Sequence, residues 1–229
     1  MGLYCTILSL LPMLRDIIIL ILGWLLGLLA PVIVEYIREK REIKVIKPAL
    51  LEELREFRFR LLLLIYRVES KYGKLDKEFF KWAQSILIEY DGINSSDSLL
   101  KAIGTILKLT PEEISECSQF SKQIEKQCTG LSLKKIYLPL LESNVSFLSK
   151  FDSILRNQLL EIRTRVEFMN EIVEDSRYYF RLSFQDGISK ENYDIANTNM
   201  ISSYNVYASQ ARDIIEIIGK ILSTKGYHS

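Results

Sequence analysis

The chain has 229 residues, and its 30 lysines and arginines nearly balance 29 aspartates and glutamates, so it is not an electrostatic nucleic-acid binder as a whole. Apolar residues at 48 % and charged residues at 26 % exclude disorder as the main state. The single histidine, His228, argues against histidine-based acid–base catalysis, His-assisted nucleophiles and His-ligated metal sites.

The first element is an uncharged run at residues 17–34, IIILILGWLLGLLAPVIV, long enough to cross a bilayer as a helix. Each Leu, Ile and Val in it favours insertion by about 0.3 to 0.6 kcal/mol, several kcal/mol in all before Gly and Pro are discounted. A cleaved signal peptide is the rival identity. A basic leader is missing, however, and the run exceeds the usual apolar core of a signal. No small-x-small cleavage site follows it either. A retained, single-pass anchor is the expectation.

Residues 1–14 are also apolar but too short for a second span. Pro12 is expected to break the helix and leave the first dozen residues in the outer interface. A tilted or re-entrant arrangement, with Arg15 and Asp16 paired inside an oligomer, stays open beside it. Gly23 and Gly27, followed by Ala30, supply the small-residue spacing at which two helix backbones approach closely, and so a homo-oligomer through this segment. Beyond the run come Arg38, Lys40, Arg41, Lys44 and Lys47, which place residues 38 onward on the cytoplasmic side of the inner (plasma) membrane.

The remaining chain reads as helices, which makes the fold all-α: a membrane segment (1–37), a basic juxtamembrane linker (38–48), a helical subdomain (49–130) and a long antiparallel helical hairpin (131–229). Leu50, Leu54, Phe57, Leu61, Leu64 and Val68 alternate four and three apart, a seam that Leu51, Leu62, Leu63 and Ile65 widen and that ends near Gly73, with Pro48 marking a bend before it. Asp76 is expected to cap a second helix that Asp91-Gly92 ends, and Ser96 starts a third. Thr110-Pro111-Glu112-Glu113 is the strongest start signal, opening a helix with Ile114, Cys117, Ile124 and Cys128 on one thin face. After Gly130, one helix of about 40 residues is expected from Leu141 to Phe180, about 60 Å long. Asp152 and Ser176 sit on its seam, either fixing register or yielding to neighbours such as Phe151 and Ile154. Asp186-Gly187 closes it, and a last helix runs from near Asn192 to Lys225-Gly226.

No phosphate-cradling glycine motif is present, and the plentiful carboxylates read as solvated helix faces. No catalytic residue, metal or cofactor is expected, and no enzyme. The three cysteines, Cys5, Cys117 and Cys128, have no metal or disulfide pattern and are expected as small apolar fillers. Two clusters mix cations with rings: Arg55 to Arg60, and Arg177-Tyr178-Tyr179-Phe180-Arg181. Both are expected to be structural, with rings inward and arginines outward; of the two, the second is the better candidate for contact with a protein or nucleic acid through Arg177, Tyr178 and Arg181, with Arg163 and Arg165 behind it.

An apolar head at residues 1–37, with Arg15-Asp16 and the Gly23/Gly27 pair, followed by an all-helical body resembles the small transmembrane effectors of bacterial anti-phage systems, such as those accompanying retron reverse transcriptases. No residue of that family carries over. The resemblance implies a toxin-like, membrane-damaging effector in antiviral defence, held by a protein partner or nucleoprotein complex on its helices. A passive membrane-tethered scaffold recruiting a cytoplasmic protein is the alternative.

Overall fold

The computed structural model describes residues 2–90, 96–127 and 133–223, with side chains for all of these except 2–14, 16, 17 and 124–127. Asp91-Gly92, Cys128, Gly130, Lys225-Gly226 and His228 lie outside the described residues, as do the side chains of Cys5, Pro12, Asp16 and Ile124.

Among the described residues every regular element is helical: α1 (Gly2–Tyr72), α2 (Lys77–Ile88), α3 (Asp97–Ile106), α4 (Pro111–Gln127), α5 (Pro139–Ser143), a 3-10 turn (Val145–Lys150), α6 (Ser153–Leu182) and α7 (Lys190–Ser223). The chain divides into two units, Met1–Lys47 and Pro48–Ser229. The first unit is the apolar and juxtamembrane part of α1.

The expected break at Pro12 is corrected: helical backbone continues through Pro12, Pro31 and Pro48. Proline's fixed φ is itself helical, and each ring costs one hydrogen bond and a local clash, about 3 kcal/mol. Long runs of good helix formers on either side absorb that cost.

In the second unit, Leu50, Leu54, Phe57, Leu61, Ile65 and Val68 form the buried side of α1. The alternation is thus corrected at one step. Leu64 is only half-buried and Ile65 takes its seam position, while of the residues widening the stripe Leu51, Leu62 and Ile65 are buried and Leu63 is exposed. The helix ends at Gly73, whose φ of +64° suits glycine because it has no Cβ. Asp76 then caps α2, its carboxylate accepting from Phe79 N–H at 2.7 Å. Thr110 and Glu113 close a reciprocal capping box at the start of α4: Thr110 N–H donates to Glu113 Oε2 (2.7 Å) and Glu113 N–H to Thr110 Oγ1 (3.2 Å). On α4, Ile114 and Ser118 are buried. Cys117 is exposed, so it is not the expected apolar filler.

The single helix of about 40 residues does not form. Its first third is α5, the 3-10 turn and an extended Phe151, because Ser143, Asn144 and Ser149 turn their side chains onto nearby carbonyls instead of continuing a helix. Asp152 is consequently a cap, not a register-fixing seam residue. Its carboxylate accepts from Leu155 N–H at 2.9 Å. Phe151 is buried beside it, whereas Ile154 is exposed. Asp152→Leu is therefore expected to lower stability by about 1 kcal/mol, read as a lower urea midpoint. A polar residue on an apolar seam would give the opposite sign.

α6 and α7 run antiparallel, joined through Gly187 (φ +78°). Arg165 reaches Asp213 at 2.8 Å near one end, and Ser176 hydrogen-bonds the Tyr204 hydroxyl farther along. Leu159, Ile162, Met169 and Val173 of α6 and Tyr207, Ala211, Ile214 and Ile218 of α7 are all buried. Burial pushes the Tyr207 phenol up to about 12, and raises Tyr72 and Tyr204 above the ordinary 10 as well. A phenol held neutral in the folded chain but free to ionise when unfolded leaves stability intact below pH 10. Stability is then lost as pH climbs from 10 toward 12, by about 1.4 kcal/mol per pH unit for each such group. The expected result is a urea midpoint that drops between pH 9.5 and 11.5, and drops less in Tyr207→Phe.

Candidate functional site

The apolar part of α1 is the candidate site. From Ile18 to Val34 no described side chain is buried, and Leu20, Trp24, Leu26 and Val32 are each about two-thirds or more exposed, at 74, 66, 64 and 65 %. One helix here is long and apolar enough to cross a membrane, with a mean hydropathy of 2.5 over eighteen residues. A soluble chain rarely leaves such a surface uncovered.

Gly23 and Gly27 have open space where a Cβ would stand, and Ala30 is exposed with them, so the small-residue face is uncovered. Arg15 is exposed, and the side chain of Asp16 lies outside the described residues. Beyond the apolar segment, Arg38 donates to Glu42 at 2.9 Å. That bond, with the charges of Glu42 and Glu35, raises the guanidinium pKa further. Lys40 lies over the Tyr36 ring, 4.5 Å from its centre. Lys40, Arg41 and Lys44 are exposed, and Lys47 is half-buried.

In the second unit, Arg163 and Arg165 are both ion-paired. Arg163 pairs with Glu167 at 3.1 Å. Arg165 is shared among Glu161, Gln210 and Asp213 at 2.8 to 3.1 Å, which ties α6 to α7 and leaves few donors for a ligand. Arg177 pairs with Glu174 at 3.3 Å. Glu174 is held below the usual carboxylate range chiefly by its bond from Lys135, with Arg177 and Arg181 adding to it. Arg177, Tyr178 and Arg181 are brought together at the exposed end of α6, where Phe180 and Phe184 also face outward.

The other basic-aromatic cluster is inward-turned. Phe57 and Phe59 are buried, Phe59 stacks on Tyr90 at 4.5 Å, and Arg58 donates to Glu89 at 2.6 Å. Arg55 pairs with Glu52 on the same helix.

Three polar staples had no motif to announce them. The Glu53 carboxylate accepts from Leu140 and Leu141 N–H at 2.8 and 2.9 Å, capping α5. Asn170 exchanges two hydrogen bonds with the backbone of Ile136. Arg212 donates to Glu69 at 3.2 Å while lying over Trp82 (4.7 Å) and Phe79 (5.5 Å), so α7 is pinned to α1 and α2. An asparagine inside a long helix is the one sequence signal among them, because its side chain competes with helical hydrogen bonding. A shallow cleft of about 440 Å³ beside Glu53 is lined by Glu52, Glu56, Phe57, Arg60 and Tyr137, an acid-rimmed apolar surface.

No family model, curated protein or solved structure matches this chain.

Proposed function

We propose that this protein acts by association rather than chemistry, as a membrane-perturbing effector whose apolar N-terminal helix is the working part. The observation that carries the reading is the uncovered helix itself: eighteen consecutive residues with a mean hydropathy of 2.5 and none buried. Lipid is the solvent in which such a surface is stable. The basic residues 38–47 favour a single-pass orientation in the inner membrane with residues 38 onward in the cytoplasm.

Support for an active rather than passive segment comes from its length. Continuous helix from Gly2 to Val34 measures about 50 Å, against about 30 Å for a hydrocarbon core. Seating the apolar residues 1–14 in lipid as well as 17–34 draws Arg15 and Asp16 in with them, where charges are costly unless they face each other or an aqueous lumen within an oligomer. Such a helix is suited to a regulated pore. On this reading the cytoplasmic helices are the handle by which a protein or nucleoprotein partner restrains it, as in the anti-phage effectors it resembles in outline.

A passive tethered adaptor is the second reading, and the outward aromatics Tyr178, Phe180 and Phe184 favour it as a recruiting surface. Overproduction in bacteria separates the two. The effector reading expects rapid depolarisation and growth arrest, both abolished by deleting residues 1–37. Healthy cells at full membrane potential would count for the adaptor.

A further inference from the structure

The juxtamembrane part of α1 carries two charge series that the apolar segment does not account for. Glu35, Glu39 and Glu42 are spaced four and three apart, and Lys40, Lys44 and Lys47 repeat the same spacing five residues later. On a helix each series is one stripe, and the offset sets the stripes about 140° apart around the axis. Arg41 joins the basic stripe, and Arg38 lies by the acidic one, bonded to Glu42.

Neutralisation along a helix needs opposite charges three or four residues apart. Around Lys40 those positions hold Tyr36, Ile37, Ile43 and Lys44, around Arg41 Ile37, Arg38, Lys44 and Val45, and around Lys44 Lys40, Arg41, Lys47 and Pro48. None is acidic. All three cations are exposed, and the ammonium of Lys40 lies over a tyrosine ring. The segment thus keeps its positive and negative faces apart.

From this segregation we infer that the stripes are the two halves of a self-association belt, the basic face of one copy docking on the acidic face of the next. The occupant is a second copy of this chain, because that partner carries both complements, offset along the axis by only about 7.5 Å. The inference rests on the membrane-anchored reading: parallel copies in one bilayer bring residues 35–42 of one helix level with residues 40–47 of its neighbour, to within a turn or two. An anionic lipid headgroup answers only the basic stripe and sets like charge against the acidic one. Two different faces make the contact head-to-tail, so it propagates around a ring rather than stopping at a dimer.

The test uses full-length protein in nanodiscs large enough for several copies and made only of zwitterionic phosphatidylcholine, with energy transfer between donor- and acceptor-labelled chains as the readout. One variant has Lys40→Glu, Arg41→Glu and Lys44→Glu, and the other has Glu35→Lys, Glu39→Lys and Glu42→Lys. Transfer is expected in the wild type, is lost within each variant alone, and returns when the two variants are mixed, because one now has two acidic faces and the other two basic ones. Unchanged transfer in either variant alone, or no recovery on mixing, overturns the belt. So does wild-type transfer that requires phosphatidylglycerol, which would make the basic stripe a lipid contact. Dye release from vesicles is scored separately. Restored association without release sinks the effector reading and leaves the belt standing, whereas release by variants whose transfer never changes sinks the belt and leaves the effector reading.

Discussion

Leu22→Arg combined with Leu26→Arg is expected to move the full-length chain from the alkali-resistant membrane fraction into the soluble or aggregated fraction. Each arginine near the centre of a span costs about 2.5 to 3.5 kcal/mol, and each lost leucine forfeits a further few tenths. The double change therefore removes about 6 kcal/mol, comparable to the whole gain of the apolar run. Leu22 and Leu26 are 53 and 64 % exposed and belong to the unit that ends at Lys47. The substitutions accordingly leave the packed unit from Pro48 onward untouched, and its thermal transition, followed by circular dichroism, is expected to be unchanged. Were residues 17–34 instead a helix that buries itself against protein, the same pair would lower that transition without a clean change of fraction. Leu22→Ala with Leu26→Ala serves as the control, since it keeps the run apolar and should leave fractionation as it was.

How far the chain could be read from its sequence differs by element, for local reasons. Starts and stops governed by one or two side chains were legible. Asp76, the Thr110–Glu113 box and the glycines at 73 and 187 act through bonds or φ angles within four residues of themselves. The division of residues 139–182 was not. Its four-and-three alternation continues through positions 141, 145 and 148, and Leu141 and Leu148 are indeed buried, yet those residues reach the core from α5 and a 3-10 turn. Periodicity reports which side chains are inside, not whether one unbroken helix puts them there. The decisive signal was the density of Asn and Ser at 143–149 followed by Asp152, residues that prefer backbone bonding outside a helix.

The candidate site divides in the same way. An exposed apolar surface depends on composition alone, so the segment 17–34 stands out in the sequence as plainly as in the fold. Long-range polar pairs have no local pattern. The bonds of Arg165 to Gln210 and Asp213 span 45 and 48 residues, and only the packing of α6 on α7 reveals them. The charge-segregated stripes at 35–47 were visible as a basic cluster but not as two faces. Counting lysines and arginines for topology discards the angular position of the glutamates among them.

Substitutions along one stretch of α1 give the sharpest test of the packed unit. Ile65→Ala is expected to destabilise by about 3 kcal/mol, within the range for deleting buried methylenes from a site that cannot collapse. Ile65 is 0 % exposed, as is Leu61 one turn earlier. For a unit of this size that loss corresponds to a melting-temperature drop of about 6 to 12 °C in the full-length protein. Leu63→Ala, two positions away and 40 % exposed, removes side-chain bulk from a surface that stays in contact with solvent, and less than about 1 kcal/mol is expected. Because both positions are in the same helix, intrinsic helix propensity cannot produce the contrast, since alanine is the better helix former at each. The two burial patterns also disagree on Leu64. A strict four-three seam makes Leu64→Ala the costly change and Ile65→Ala a mild one, whereas the packed core reverses that order. Equal losses at 64 and 65, or a larger loss at 64, would mean that α1 is rotated by about 100° from the orientation that buries Leu61 and Ile65.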